Sequence, residues 1–380
     1  MDIKINNNRV TVDSGNGEFY LSFHRTLRIP DDGNRYPLPA SLGRFPIRRV
    51  EDYADKLPAD WVARGGVLIP MHYIEALWVH FESSNRYQYA VKVGVGNINV
   101  ISGMDLIDSL LTGADHMQDY LVAPNQPWLD GLKTQKDDSV RQFVAVYAGD
   151  GKSVEHQLRG EDKYGGMQFL IYKPKYNKQQ LFRNTYSSFI TMDSTLEKSP
   201  LGEWNYTGNT PTVTYSSSNI KGIGSRSVSR SIDSEKSFIV GESGPDVLMA
   251  AAFSERTETT HETMAIGAGG TITQKIYPDS YGVDTWDQKD IGRLFVNIVS
   301  AKTWYQLTGE ILPTPINQEH YKSHHIPFFH LKDQYDKDVA FWEKMGELKS
   351  VATIAKENNE IVPDNKSFKV GDHAVTQKKW

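Results

Sequence analysis

The stretch from Gly65 to Tyr172 most constrains what this chain can fold into, because apolar side chains recur in it with a period of two. The alternation is clearest in the runs 77–81, 91–95 and 141–148. This period places the apolar side chains on one face of a β-strand. We therefore predict strands in all three runs, with a helix left open as the alternative for the first.

The side chains between the apolar positions indicate how these strands pair. In the run 91–95, Lys92 and Gly94 separate the valines, so one face is buried and the other meets water or a close neighbour. A sheet buried on one face only is typical of antiparallel pairing. Two further strand-like runs, Ile3–Val12 and Glu18–His24, flank a loop at 13–17 that is rich in turn-forming residues, which predicts an opening hairpin.

Helical spacing is found mainly after residue 285. Apolar side chains three and four residues apart predict a long helix over 287–305 and another over 337–348. Thr314 and Pro315 have the order of an N-cap and a first-turn proline, which predicts a short helix that ends before Pro327. The predicted fold class is α+β, mainly antiparallel β-sheet with helices concentrated in the C-terminal third.

The length of 380 residues suits two or three domains of roughly 150 residues each. The character changes after Tyr172, and Ser, Thr, Asn and Gly dominate residues 208–237. We predict a β-rich domain at 1–205, a Ser/Gly-rich loop or linker at 206–240, and an α+β domain at 241–380. This loop also contains lysine and arginine residues, so an arm that contacts an anion is the alternative interpretation.

Charge and composition limit the kinds of function. With 42 basic and 47 acidic residues the net charge is −5, so a nucleic-acid partner is not expected. The chain has no cysteine, which excludes disulfides and thiolate metal sites, and we expect no cofactor. No apolar run approaches the roughly 20 residues of a membrane helix, and the N-terminus has no signal-peptide pattern. We expect a soluble cytoplasmic protein without membrane insertion.

Several segments resemble a family of bacterial and fungal hypothetical proteins of this length. The resemblance rests on five segments: RTLRIPDDGNRYPLPASLG, AVKVGVGNINVISG, QDYLVAPNQPWLDG, RQFVAVYAGDG and QLRGEDKYGG. It covers Arg25–Gly166 strongly and Met264–Phe329 more weakly. It implies that the chain is one coherent unit, and it implies no activity, cofactor or fold. The sequence HHIPFFH departs from the family pattern, which weakens the case for a histidine site.

Two groups of residues are candidates for chemistry. Glu155, His156 and Glu161 precede a Gly-Gly pair, and a histidine beside carboxylates can act in acid–base catalysis. His320 and His324 are four residues apart in the predicted short helix, a spacing that can present two imidazoles to a metal. A surface or interface position is the alternative for both histidines, because the zincin pattern is missing.

Aromatic residues suggest a binding site instead. Trp128 follows a proline, and Asn125 and Asp130 flank it, an arrangement that suits recognition of a sugar or a peptide. Trp78, Tyr147 and Tyr164 lie in the same stretch. The alternative for Trp128 is a side chain that simply fills the core.

The sequence contains no recognised catalytic motif, whereas strands and loops suited to contacts are frequent. The sequence therefore favours a non-enzymatic binding or assembly protein. Its expected partner is another protein or a second copy of itself, as a homo-oligomer. The alternative is a hydrolase-like or metal-dependent enzyme with a Glu/His site.

Overall fold

A computed structural model gives the fold of most of the chain. It describes residues 1–15, 17–84, 87–114, 117–175, 204–206, 211–213, 262–323, 326, 328–331, 337–368 and 374–377. Two compact units divide the chain: Met1–Arg183 together with His261–Trp380, and Asn184–Thr260.

The described residues form mainly β-strands. The strands are β1 (Asp2–Asn6), β2 (Arg9–Asp13), β3 (Glu18–Thr26), β4 (Arg35–Tyr36), β5 (Leu38–Pro39), β6 (Ser41–Arg44), β7 (Arg48–Arg49), β8 (Val67–Met71), β9 (Ala76–Ser83), β10 (Tyr89–Val95), β11 (Ile98–Asn99), β12 (Leu121–Ala123), β13 (Trp128–Leu129), β14 (Gly131–Leu132), β15 (Ser139–Tyr147), β16 (Met167–Pro174), β17 (Trp204–Tyr206), β18 (Pro211–Val213), β19 (Thr263–Thr273), β20 (Trp286–Ser300), β21 (Phe328–Leu331) and β22 (Ala374–Gln377).

The described helices are short. They are α1 (Ala59–Arg64), α2 (Val154–Arg159), α3 (Ala301–Thr308), α4 (Gln318–Ser323) and α5 (Val351–Glu357), with 3₁₀ turns at Val50–Tyr53, Val283–Thr285 and Glu343–Glu347. Serines cap α2, α3 and α5, each accepting a hydrogen bond from a backbone N–H three residues later. No helix among these residues is long and apolar enough to cross a membrane.

One mainly antiparallel sheet joins most strands of the first unit. Its central ladders run β2–β3–β9–β15–β19–β20–β16–β10. Two described pairings in it are parallel, β8 with β20 and β4 with β19. The sheet confirms the prediction of a β-rich, mainly antiparallel architecture, and β9, β10 and β15 occupy the three predicted strand runs.

The main core packs against this sheet and takes one face of β3 and β9. Alternate side chains of neighbouring strands meet there, among them Phe23 of β3, Val79 of β9 and Phe169 of β16, each with less than 1% of its surface exposed. Full burial of such a side chain contributes about 1.5–3 kcal/mol. A smaller core around Tyr321 and Phe328 contacts Trp128.

The concentration of helices in the C-terminal third is not confirmed. The helix predicted over 287–305 is wrong for residues 287–300, which belong to β20, and only α3 is helical. The apolar residues there fit both periods, and pairing with β16 along Met167–Pro174 selects the strand. The helix predicted over 337–348 is reduced to one 3₁₀ turn, whereas α4 lies within the predicted short helix.

The observed division into units differs from the three segments drawn from the sequence. β19 and β20 pair with β15 and β16, so residues on both sides of the predicted 206–240 linker share one sheet. Of that segment only Tyr206 and Pro211–Val213 are among the described residues, in the pair of strands Trp204–Tyr206 and Pro211–Val213 of the second unit.

Candidate functional site

The candidate site lies on the sheet face opposite the main core. β3 and β9 are antiparallel neighbours, and their register places His24 opposite Trp78 and Ser22 opposite His80. β13 adds Trp128, which is paired with His80. The intervening residues of β3 and β9 point into the core. Period-two alternation therefore brings residues more than 100 positions apart onto one face.

Four rings on this face contact one another, and we call His24, Trp78, His80 and Trp128 the ring cluster. His24 stacks on Trp78 with 4.2 Å between ring centroids. Trp78 meets Trp128 edge to face at 6.0 Å. His80 lies beside both tryptophans, at 5.8 and 6.4 Å. His24 and Trp78 are buried, Trp128 is partly exposed, and His80 has 12% of its side chain exposed. Trp128 and His80 therefore form the accessible side of the cluster.

His24 is held as a neutral ring by its neighbours. Its Nε2 lies 2.9 Å from Ser22 Oγ, and its Nδ1 lies 2.8 Å from Ser41 Oγ. Burial lowers the pKa of His24 well below its usual value, and the charge of Arg44 lowers it further. A neutral imidazole donates from one nitrogen and accepts at the other, so both serines are satisfied.

Beside the rings, Glu82 and two arginines form the polar margin of the site. Arg9 Nη1 donates to Glu82 Oε2 at 3.3 Å. The other carboxylate oxygen, Oε1, is 3.9 Å from His80 Nδ1, beyond hydrogen-bond distance. Burial lowers the pKa of His80 to about 4, with Arg44 and Arg9 adding to the shift. His80 is therefore neutral at pH 7.

Arg44 belongs to the same polar margin and lies on β6, on the other side of β3 from β9. It is the last residue of β6, and its Cα is paired with that of His24. Burial lowers the pKa of Arg44, while the charge of Glu82 raises it. Among the described residues the Arg44 guanidinium has no ion-pair partner, and its pairing with His24 places Arg44 on the face of the ring cluster.

Two buried atoms of the site also lack partners within the described part of the chain: Trp78 Nε1 and Glu82 Oε1. Each belongs to a residue that is less than a tenth exposed. A buried polar group left without a hydrogen bond costs about 1–3 kcal/mol, so such groups are rare in folded proteins. The site thus has an unmatched N–H donor, an unmatched acceptor and a guanidinium on one face.

Of the three residues predicted to bind a ligand, Trp128 alone belongs to the ring cluster. Asn125 is engaged elsewhere: its backbone N–H donates to Gln88 Oε1 at 2.7 Å, and its side-chain amide donates to Tyr281. Asp130 is buried and makes two hydrogen bonds with Gln274. The Gln274 side-chain amide donates to the Asp130 carboxylate at 2.8 Å, and Gln274 Oε1 accepts from the Asp130 backbone N–H at 2.9 Å.

Sequence reasoning missed His24, His80, Arg44 and Glu82. The signal that could have found three of them is the second face of the alternation. β3 reads EFYLSFHRT and β9 reads ALWVHFES, so rings and polar groups occupy every position that faces away from the core except Ala76.

Burial of Asp130 gives a pH prediction. Burial raises the pKa of Asp130 to about 7, and the bond from Gln274 only partly opposes this. Because the folded-state pKa exceeds the unfolded one, the stabilisation is present below pH 4 and is lost as pH rises through 7. We expect the Asp130→Asn variant, which carries no titrating carboxyl there, to gain about 2 kcal/mol relative to wild type between pH 5 and pH 8.

The measurement is urea unfolding of both proteins at the two pH values. The matched control is Asp364→Asn, which removes a partly exposed carboxylate that pairs with Arg28. A wild-type-minus-variant difference that does not change with pH would contradict the raised pKa.

The candidate catalytic residues have structural contacts. Glu155 is buried in α2, and its carboxylate accepts hydrogen bonds from the backbone N–H groups of Tyr164 and Gly165 at 2.9–3.1 Å. His156 Nδ1 lies 3.7 Å from the Asp162 carboxylate. Glu161 is exposed. The structure does not bring Glu155, His156 and Glu161 together around an open site.

The two candidate metal ligands are not both described. His320 lies on α4, where its backbone N–H donates to Asn317 Oδ1 at 2.9 Å, and His324 lies outside the described residues. In the part of the chain that the structure describes, no group of three or more His, Asp or Glu residues could hold a metal ion.

Comparison with known proteins gives no match to a protein-family model, a curated protein or a solved structure. The site is therefore interpreted from its geometry.

Proposed function

We propose that this protein is a non-enzymatic binding protein whose ligand lies on the ring cluster, between Arg44 and Glu82. The observation that carries the proposal is the pair of buried, unpartnered atoms on this face, Trp78 Nε1 and Glu82 Oε1. A ligand that supplies the missing partners would offset their desolvation. Rings with a few placed polar groups are typical of ligand sites.

The polar groups around the rings favour binding over catalysis. A general base must accept a proton, but both nitrogens of His24 are bonded to hydroxyls, and burial disfavours its charged form. His80 is also neutral, and Glu82 is too far away to orient it by a hydrogen bond. The enzyme alternative loses support in the same way at Glu155, whose carboxylate is occupied by backbone N–H groups.

The test is a thermal-shift screen of small saccharides, short peptides and nucleotides against wild type and the Trp128→Ala variant. We expect at least one class to raise the wild-type Tm by about 2–4 °C at saturating concentration, because ligand binding stabilises the folded state. Removing the accessible ring of the cluster should abolish that shift.

Trp342→Ala is the matched control, since Trp342 is also half-buried but packs against the main core and donates to Gln118 O. It should retain the shift. The proposal fails if no class shifts the wild type, or if Trp128→Ala responds as strongly as Trp342→Ala. Light scattering of the same proteins tests a second copy as partner: a mass that falls only in Trp128→Ala would assign this face to self-association and contradict a small ligand.

A further inference from the structure

We propose that the ligand of the ring cluster is a neutral oligosaccharide of at least two sugar rings, lying across β6, β3 and β9. This inference rests on the proposed function and names its ligand class. It depends on where the unmatched groups lie, on their chemistry, and on what the surrounding strands exclude.

The strand register fixes the size of the site. Trp78 and Glu82 are four residues apart on β9, which at about 3.4 Å per residue is about 13 Å. Arg44 is two strands away from Trp78, through His24, or about 10 Å at the usual strand spacing. Backbone positions this far apart line a site that is longer than one six-membered ring and that suits neighbouring rings of a short chain.

The chemistry of the unmatched groups points to hydroxyls. Trp78 Nε1 is an unmatched donor and Glu82 Oε1 an unmatched acceptor. The Arg44 guanidinium, which has no ion-pair partner among the described residues, is a further donor. A hydroxyl both donates and accepts, so neighbouring hydroxyls of a sugar satisfy all three groups without a new charge. The flat C–H side of a sugar ring can cover the partly exposed rings of Trp128 and His80.

The charged groups of the site, Arg9, Arg44 and Glu82, leave one positive charge in excess, which is little for an anionic ligand. The ion pair with Arg9 partly neutralises Glu82, and its free oxygen repels a phosphate or carboxylate placed between it and the rings. Arg44 is then the one cation here without an ion-pair partner among the described residues. Nucleic-acid sites need several such cations along the backbone, so a neutral ligand fits better.

The surrounding strands disfavour an extended peptide. Peptides commonly bind by adding a strand to a free sheet edge. β3 is paired with β2, β6 and β9, and β9 is paired with β3, β13 and β15. Their backbone groups are used within the sheet, so a ligand here meets side chains, which is how a saccharide is recognised.

The test is isothermal titration of the full chain with neutral oligosaccharides of one to six units, in β-1,4-glucose, α-1,4-glucose and N-acetylglucosamine series. In at least one series the affinity should rise at least tenfold from one unit to three and then level off. Trp128→Ala and Arg44→Met should each weaken binding at least tenfold, as expected for loss of a stacking ring or a charged donor.

Arg159→Met is the matched control, because Arg159 is also half-buried but pairs with Asp105 away from this face. It should bind like wild type. An acidic oligogalacturonate of equal length should bind at least tenfold more weakly than the neutral chain, and Glu82→Gln should narrow that difference.

Four outcomes overturn the inference. If uncharged hexapeptides bind in a Trp128-dependent manner and no saccharide does, the ligand class is wrong and the proposed function stands. If neither class binds and no nucleotide raises the wild-type Tm, both proposals fail. If only a nucleotide binds in a Trp128-dependent manner, the ligand class alone is wrong. If a saccharide binds equally to wild type, Trp128→Ala and Arg44→Met, the ring cluster is not its site, and both assignments to this face are wrong.

Discussion

The Gly131→Ala variant is expected to lose more than about 3 kcal/mol of unfolding free energy, or to fail to fold. Gly131 begins β14 and is paired with Gln142 of β15. A Cβ at this position would lie 1.9 Å from the carbonyl oxygen of Arg141 and 2.5 Å from its carbonyl carbon. These are backbone atoms, so no side-chain rotation can relieve the overlap.

The strands around Gly131 leave little room to shift. The N–H of Phe143 donates to the carbonyl of Asp130 at 3.0 Å, which holds β15 against the residue before the glycine. Relief would require separating β14 from β15 and moving the nearby Trp128. The substitution should therefore also weaken any ligand binding at the ring cluster in molecules that still fold.

Urea unfolding followed by tryptophan fluorescence measures the effect, with Gly113→Ala as the matched control. A Cβ at Gly113 would meet Met117 Cβ at 3.4 Å, an ordinary contact, so that variant should stay within about 1 kcal/mol of wild type. Equal losses in the two variants would show that β14 and β15 are not as close as described.

The Lys92→Met variant should lose about 3–5 kcal/mol, because it leaves a buried carboxylate without its counter-charge. Lys92 is fully buried in β10, and its ammonium donates to Ile107 O at 3.0 Å and Ser109 O at 2.8 Å and pairs with Asp119 at 2.6 Å. All three ammonium protons are used. Burial lowers the pKa of Lys92 and raises that of Asp119, and the ion pair opposes both shifts.

Lys173→Met is the matched control, since Lys173 pairs with Asp290 at the partly exposed end of β16. It should cost no more than about 1 kcal/mol. The double variant Lys92→Met with Asp119→Leu should recover part of the loss, although the N–H of Leu111 then loses its acceptor. Urea unfolding of wild type, Lys92→Met, Asp119→Leu and the double variant gives the coupling energy. A loss in Lys92→Met no larger than in Lys173→Met would contradict the buried pair.

The strands between Gly65 and Tyr172 could be predicted from the sequence because their signal is local. In β9, β10 and β15 apolar side chains alternate along consecutive residues, and this alternation identifies the buried face. The residues of β20 carry apolar spacing that suits a helix equally well. What decides the strand is pairing with β16, more than 100 residues earlier, and no local pattern contains that information.

The site shows the same limit. Trp128 could be singled out as a tryptophan beside polar residues, but its partners come from β3 and β9. Asp130 looked like a ligand contact, yet Gln274 of a distant segment occupies its carboxylate. The sequence shows the type of each residue. It does not show which distant side chains are its hydrogen-bond partners.

The pairing of β15 and β16 with strands more than 100 residues later has a consequence for synthesis on the ribosome. β15 and β16 each have an edge that is filled by β19 or β20, whose residues are made only after position 262. A nascent chain that ends before that point therefore carries two apolar strands with open backbone edges, the condition that promotes association between chains. The first unit can close its sheet only after the later strands leave the ribosome, so its folding is late in translation and slow.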